Sequence, residues 1–292
     1  VFYDSRVDPK DLLVLERALD TSPVNSTAVT GGFSGSRCWS VELADGQRVF
    51  VKVADDDESV AGHRNEAIVL DSVRSRHLPS FIGIFDDGRL LVIEDLGTAD
   101  WSPLPLRIDE LWDAIGDVGT HAGPPSLWQS FQGSGRDTWA AVVSDDRFGS
   151  AVGLEPGWME RYESILTAAS QQADTSGDQL VHGDLAPGNW CRDAAGTWRF
   201  VDWASAYRGN PAVDEVIASV RLTRLTGSPR SSTNVGEHPE LAAFIAGRFA
   251  SELLDVDWTG APLHARSHRI ADIQSGLSLT AHLMGLPPPS FR

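Results

Sequence analysis

Val181-His182-Gly183-Asp184-Leu185-Ala186-Pro187-Gly188-Asn189, followed by Phe200-Val201-Asp202-Trp203, sets two carboxylates and one amide in a usable chemical order. Asp184 precedes Asn189 by five residues, and Asp202 follows thirteen later, behind an apolar pair. A carboxylate at a loop tip can take a proton from a hydroxyl. An amide oxygen and a second carboxylate are hard donors suited to Mg²⁺, an ion that keeps waters and phosphate oxygens in its shell. Base first, then two metal ligands, is the order that phosphoryl transfer uses. Singly, Asp184 could cap a turn, Asn189 could occupy a left-handed position and Asp202 could end a strand. The ordered set is far more specific than any of its members.

Lys52 is an independent signal. The chain carries only two lysines, Lys10 and Lys52, and relies on arginine for the rest of its basic residues. Lys52 interrupts the apolar strand Val49-Phe50-Val51-Lys52-Val53, where an unpaired charge would be costly to bury. Phosphate oxygens together with Glu66, on the helix expected next, would supply the anionic partner. Asp57 and Glu58 are weaker rivals, because the acidic run Asp55 to Glu58 reads as a loop. The turn Gly31-Gly32-Phe33-Ser34-Gly35-Ser36 can offer backbone N–H groups and the Ser34 or Ser36 hydroxyl to phosphates. It lacks the Gly-Lys-Ser/Thr of a Walker A loop, and on its own a plain hairpin turn would look the same.

The elements that must position these groups follow from periodicity. Leucines at helical spacing predict an opening helix within residues 1–24, with Asp8-Pro9 as its start. Strands are expected at Cys38–Leu43 and Arg48–Val53 around an Asp45-Gly46 turn, a helix from Ser59 to Val73, and strands at Ile82–Phe85 and Leu90–Glu94. Beyond Gly97 the strand signals thin out. Helices are expected at 109–122, 137–143, 157–172, 214–225 and 240–254, with short strand pieces near Leu180-Val181 and Trp198–Val201. This shift puts a lobe boundary at Gly97, with residues 1–97 as one lobe and 98–292 as the other. His182 reads as a brace for the loop, and the tryptophans read as core.

Composition narrows the class. With 292 residues, 41% hydrophobic, the chain is an ordinary folded protein. Its apolar runs are strand-sized, well short of a membrane span, so no membrane partner is expected. A net charge of −17 argues against a nucleic-acid partner and is compatible with a cationic acceptor, although acidity also serves solubility. Cys38 and Cys191 show neither metal-ligand spacing nor a disulfide framework and read as reduced thiols. The first residues lack the basic start and apolar core of a secretory signal, so a cytoplasmic location is expected. No Gly-x-Ser-x-Gly or His-Glu-x-x-His segment is present, so the serine hydrolase and zincin readings lose their main support.

These residues resemble the aminoglycoside phosphotransferase and choline kinase-like family. The resemblance spans most of the chain. It rests on His182-Gly183-Asp184 with Asn189, on Val201-Asp202-Trp203, on Gly209-Asn210-Pro211-Ala212-Val213-Asp214, and on the hinge-like Leu91-Val92-Ile93-Glu94-Asp95-Leu96-Gly97. It implies an α+β, bilobal protein-kinase-like fold, with an antiparallel sheet and a helix in the N-lobe and a mainly helical C-lobe. It further implies ATP and Mg²⁺, with Asp184 catalytic and Asn189 and Asp202 as metal ligands. Lys52, Glu66, Ser34, Ser36, Glu94, Asp95 and Leu96 would lie around the nucleotide. Two departures are Ala204, where many relatives carry an acid, and a Gly-rich turn without the Asn of some relatives. The implied activity moves the γ-phosphate of Mg-ATP to a hydroxyl of a small molecule, an aminoglycoside or related sugar-containing antibiotic or metabolite. A choline-like amino alcohol or a simple sugar fits the catalytic set as well. A nucleotide-binding pseudokinase or regulatory module is the alternative from a different class. His-Gly-Asp in place of His-Arg-Asp, and the lack of an Ala-Pro-Glu segment, make a protein kinase the poorer reading.

Overall fold

The computed structural model describes residues 7–29, 35–102, 104, 107–127, 138–155, 157–255 and 264–292. Gly31 to Ser34 of the Gly31–Ser36 turn lie outside them. Helix α1 (Pro9–Leu19) starts where Asp8-Pro9 predicts, with the Asp8 carboxylate accepting from Lys10 N at 3.0 Å. It ends five residues before the expected limit, because Asp20 turns left-handed (φ 51°) and the chain enters a strand at Pro23.

Strands β1 (Pro23–Val29), β2 (Ser36–Leu43), β3 (Arg48–Ala54), β4 (Phe81–Phe85) and β5 (Leu90–Glu94) form one antiparallel sheet in the order β1-β2-β3-β5-β4. Strict alternation assigns its faces. Trp39, Val41, Leu43, Val49, Val51, Val53, Leu90 and Val92 build one core with Leu15 of α1. Lys52, between Val51 and Val53, therefore points to the opposite face. There lies helix α2 (Asp57–Ser72), between β3 and β4. The second half of the acidic run expected to be a loop begins this helix: Asp56 caps it by accepting from Ser59 N at 2.7 Å, and Asp57 and Glu58 occupy its first turn. Carboxylates are favourable there because the first N–H groups of a helix are unpaired and positive. Gly35 lies against this cap; a Cβ on it would stand 2.8 Å from Ser59 Oγ and 2.9 Å from Asp56 Oδ2.

The remaining chain is mainly helical, as expected of an α+β protein of this type. Its helices are α3 (Ile108–Gly119), α4 (Thr138–Val143), α5 (Arg147–Val152), α6 (Trp158–Gln172), α7 (Ala212–Thr226), α8 (Thr233–Gly236), α9 (Pro239–Asp255) and α10 (Ala265–Leu283). Strands β6 (Gln179–Val181), β7 (Trp190–Arg192), β8 (Trp198–Phe200) and β9 (Tyr207–Gly209) form two short antiparallel pairs, β6 with β9 and β7 with β8. Sequence periodicity missed α5, β7, β9 and the nineteen-residue α10. In α10 the apolar positions are interleaved with Ser, His, Gln and Thr and give no sustained stripe.

Two compact units result. One comprises residues up to Ser102 together with Gly123–Leu127 and Gly188–Ala206; the other comprises Pro103–Ala122, Trp128–Pro187 and Tyr207–Arg292. The β7–β8 hairpin thus belongs with the five-stranded sheet although nearly a hundred residues separate them in sequence. In the helical unit α6, α7, α9 and α10 share a core that includes Leu166, Ile217, Val220, Ile245, Ile273 and Leu277. No helix among the described residues is long and apolar enough to cross a membrane.

Candidate active site

In the sheet unit, Lys52 Nζ donates to Glu66 Oε2 at 2.7 Å and to Asp202 Oδ1 at 2.8 Å. Lys52 is 7% exposed and Glu66 fully buried. Burial alone would lower the Lys52 ammonium, but the charges of Asp202 and Glu66 outweigh it and hold the amine above the ordinary lysine value. Burial pushes the Glu66 carboxyl up; Lys52 opposes that shift and Asp202 adds to it. The sequence pairing of Lys52 with Glu66 is thus met in space, and Asp202 joins it from 150 residues away.

The β7–β8 hairpin explains how Asp202 arrives. Trp190 pairs with Phe200, Cys191 with Arg199 and Arg192 with Trp198, and Val201 N donates to Asn189 O at 3.0 Å. Asn189 and Asp202 consequently leave the same end of one hairpin. Asp202 itself is left-handed (φ 68°, ψ 59°), a costly conformation for a residue with a Cβ, held by its surroundings. Trp203 behind it is fully buried and bonds Phe200 O at 2.9 Å. Asn65 Nδ2 of α2 donates to Ala204 O at 3.0 Å and Ala206 O at 2.7 Å, tying the helix that bears Glu66 to the segment that follows Asp202.

The same hairpin pins the hinge-like segment. Arg199 Nη2 donates to Glu94 Oε2 at 2.6 Å and to Leu78 O at 2.9 Å, and Asp100 pairs with Arg192 through two backbone bonds. Glu94 also accepts from Ser80 N at 2.8 Å. The Asp95 carboxylate accepts from the Ser40 hydroxyl and from Gly97 N, and Leu96 O accepts from Trp101 Nε1 at 3.2 Å. The acidic side chains here fold the hinge. Ser36 opens β2, and its hydroxyl lies 2.8 Å from His63 Nε2, while His63 Nδ1 lies 3.1 Å from Gly88 O. A carbonyl only accepts, so Nδ1 carries the ring proton and Ser36 donates to Nε2. Burial, then the Lys52 charge, lowers His63 to about 4, so this ring is neutral at pH 7.

Asp184 lies in the helical unit, in the loop after β6, with its side chain 48% exposed. The β6–β9 pairing clamps both ends of the excursion that runs from His182 to Ala206. Asp214, two residues into α7, then fixes the start of the loop: its carboxylate accepts from His182 N at 2.6 Å and Gly183 N at 2.9 Å. Gly183 adopts φ 82°, which a residue with a Cβ would resist. His182, buried, receives the Asp184 N–H at Nδ1 (3.3 Å) and so braces the loop as its sequence position suggested. Arg221 Nη2 reaches to 3.5 Å from Asp184 Oδ1. Sequence reasoning assigned no role to Asp214 beyond its motif and missed Arg221 altogether, since no motif surrounds it.

Burial pushes the Asp214 carboxyl up to about 6; His182 and the two N–H donors oppose the shift, and the Asp184 charge adds to it. Between the ordinary value of 3.8 and about 6 only the folded chain holds that proton. Its contribution to stability is therefore complete below pH 3.8 and is lost as pH rises through 6. Wild type should lose about 3 kcal/mol from this source between pH 4 and 7.5. Asp214→Asn should flatten that slope in urea denaturation, and parallel slopes for the two proteins would refute the assignment.

Among the described residues no three His, Cys, Asp or Glu side chains gather as a metal cluster. Asn189 and Asp202 supply two oxygen donors from one hairpin end, which suits Mg²⁺ because that ion takes its other ligands from water and phosphate.

The chain is similar to known proteins in sequence family and in fold. The model of the phosphotransferase enzyme family matches residues 26–261. No curated protein matches the chain in sequence. Among solved structures, the choline kinase LicA from Streptococcus pneumoniae is similar at 12% identity and a TM-score of 0.58, covering 94% of this chain and 99% of its own. The macrolide 2′-phosphotransferase MphH from Brachybacterium faecium is similar at 16% and 0.56, covering 97% and 100%. The aminoglycoside phosphotransferase APH(4)-Ia, in ternary complex with ADP and hygromycin B, is similar at 14% and 0.53, covering 91% and 98%. With the family model covering most of its length, the chain belongs to the phosphotransferase enzyme family, and these structures share its fold.

Proposed function

We propose that the protein transfers the γ-phosphoryl group of Mg·ATP directly to a hydroxyl of a small molecule, with an aminoglycoside or a related sugar-containing antibiotic or metabolite as the leading acceptor class. The observation that carries this reading is the buried Lys52 ammonium held between Glu66 and Asp202, beside the hairpin end that bears Asn189. Lys52, oriented by Glu66, binds α- and β-phosphate oxygens. The backbone of Glu94, Asp95 and Leu96 pairs with the adenine, and the Gly-rich turn with Ser34 covers the phosphates, whereas the Ser36 hydroxyl, expected there too, donates to His63 instead. Asn189 and Asp202 would hold Mg²⁺, which would supply charge neutralisation at the phosphates. Asp184 takes the proton of the acceptor hydroxyl as its oxygen bonds phosphorus and the bond to the bridging oxygen of ADP breaks. The protein's contribution is then mainly positioning and fixed charge. A neighbour bound to ADP and hygromycin B, and one bound to AMP, support a nucleotide and a small hydroxyl compound as substrates. A choline-like amino alcohol or simple sugar is the alternative acceptor. With Cys38 and Cys191 as unpaired thiols, the cytoplasm is the proposed location.

The test is incubation with Mg·ATP and a panel of aminoglycosides, macrolides, sugars and amino alcohols. A product heavier by one phosphoryl group, with the modified hydroxyl located by NMR, is the expected result. Mg·ATP binding without phosphorylation of any panel member would favour a nucleotide-binding regulatory module instead.

A further inference from the structure

The left-handed backbone of Asp202 (φ 68°, ψ 59°) persists only where its surroundings impose it. Upstream the hairpin holds the chain, through the pairing of Trp190 with Phe200 and the bond from Val201 N to Asn189 O. Downstream the chain makes a single 3₁₀ turn, Trp203–Ser205, closed by Ala206 N donating to Trp203 O at 3.0 Å. So short a turn has little stability of its own. What fixes it is one face of α2, where Gly62, Asn65 and Glu66 share the spacing of three and four residues that aligns side chains on a helix. Asn65 is 3% exposed, and its Nδ2 uses both hydrogens on the turn, 3.0 Å from Ala204 O and 2.7 Å from Ala206 O. Burial raises the Glu66 carboxyl, and the Trp203 backbone N–H is among the groups that oppose the shift. At Gly62 the helix comes so near that a Cβ added there would stand 3.2 Å from Ala204 Cβ, closer than such atoms ordinarily approach. The alanine at 204, where many relatives carry an acid, is the small side chain that this approach accommodates.

The bond between Val201 N and Asn189 O sets the spacing of the two proposed metal ligands, and the turn behind Asp202 sets the direction of its carboxylate. The Lys52–Glu66 pair, buried and 2.7 Å long, joins β3 to α2 without passing through Asn65, so the ammonium proposed to bind phosphates does not depend on the Asn65 amide. Groups that orient a metal's ligands govern its affinity nearly as strongly as the ligands themselves. We infer that Asn65 is a positioning residue for Mg²⁺: by holding the carbonyls of Ala204 and Ala206 against α2, with Gly62 leaving room for Ala204, it keeps Asp202 left-handed and its carboxylate set for the metal. This inference rests on the reading of Asp202 and Asn189 as metal ligands of a nucleotide site.

The experiment measures, by calorimetry on the full chain, the Kd of ADP with Mg²⁺ present and with EDTA in its place; the ratio of the two is the gain in affinity that the metal brings. Asn65→Leu keeps the size of the side chain and removes both donors. Gly62→Ala leaves the amide intact and presses on the turn at Ala204 instead. Because Ala favours a helix over Gly, this second variant should melt no more than about 3 °C below wild type. Wild type should bind ADP more tightly with Mg²⁺ than without. In Asn65→Leu the gain should fall by about tenfold, while the Kd in EDTA changes less than about twofold. In Gly62→Ala the gain should fall in the same direction, by about threefold, and this variant carries the test alone should Asn65→Leu fail to fold. An unchanged gain in either folded variant would overturn the inference. Equal weakening of ADP binding with and without Mg²⁺ would do so too, since it would mark Asn65 as a part of the fold only. A wild type that binds ADP equally well in Mg²⁺ and in EDTA would overturn the inference and leave the nucleotide site standing. A wild type that binds no ADP at all would remove the nucleotide reading itself, and the inference with it.

Discussion

Asp202→Asn should lower kcat by about 10³-fold while the chain stays folded. Asn is the informative replacement because position 202 is left-handed, a conformation that Asn tolerates and Ala resists. The substitution thus removes charge with little change in backbone preference. What disappears is the carboxylate that Lys52 meets at 2.8 Å and that, in the proposed mechanism, holds Mg²⁺ with Asn189. The Lys52–Glu66 pair at 2.7 Å remains, so the buried ammonium is not left alone. The measurements are steady-state turnover across a range of Mg²⁺ concentrations and a thermal melt. Unchanged turnover in a folded variant would remove Asp202 from the machinery. Asp202→Ala should show the same kinetic loss together with a lower melting temperature, since it adds the left-handed penalty.

Asp184→Asn separates the base from the nucleotide site. The amide would keep the shape of the loop and an oxygen for Arg221, but could not take a proton. A general base contributes about 10²- to 10⁴-fold, and kcat should fall within that range. The affinity for Mg·ATP, read by calorimetry, should change less than about twofold, because the groups proposed to bind the nucleotide belong to the sheet unit and its hairpin. Parallel loss of binding and turnover would mean that the proton acceptor lies elsewhere.

Much of the candidate site is legible in the amino-acid sequence. Lys52 announced itself as one of two lysines, placed in a strand too apolar to hold a lone charge, and Glu66 was its nearest helical anion. Asp184, Asn189 and Asp202 were readable as a spaced set. The alternation of β2, β3 and β5 and the Asp45-Gly46 turn gave the sheet, since a half-buried strand writes its two faces into the chain. Only Asp57 and Glu58 depart from the loop reading, because a run of acids looks like a loop until Asp56 is seen as a cap and the next two as first-turn residues. The short β7 and β9 carry three residues each and depend on partners far along the chain, so no local pattern marks them.

Local chemistry, then, is what the amino-acid order determined by itself: which groups can accept a proton, hold a metal or carry a buried charge, and which segments are strand or helix. Tertiary structure alone decided who stands beside whom. Arg199 meets Glu94 across 105 residues, Asn189 and Asp202 share a hairpin end, Asp214 grips the loop at His182 and Gly183, and Arg221, Arg224 and Arg269 crowd Asp272 beside Asp184. The physical reason is that periodicity records only whether a position faces a core. A buried polar group is specified by its partner, and when the partner lies on another element, its identity enters only when those elements dock.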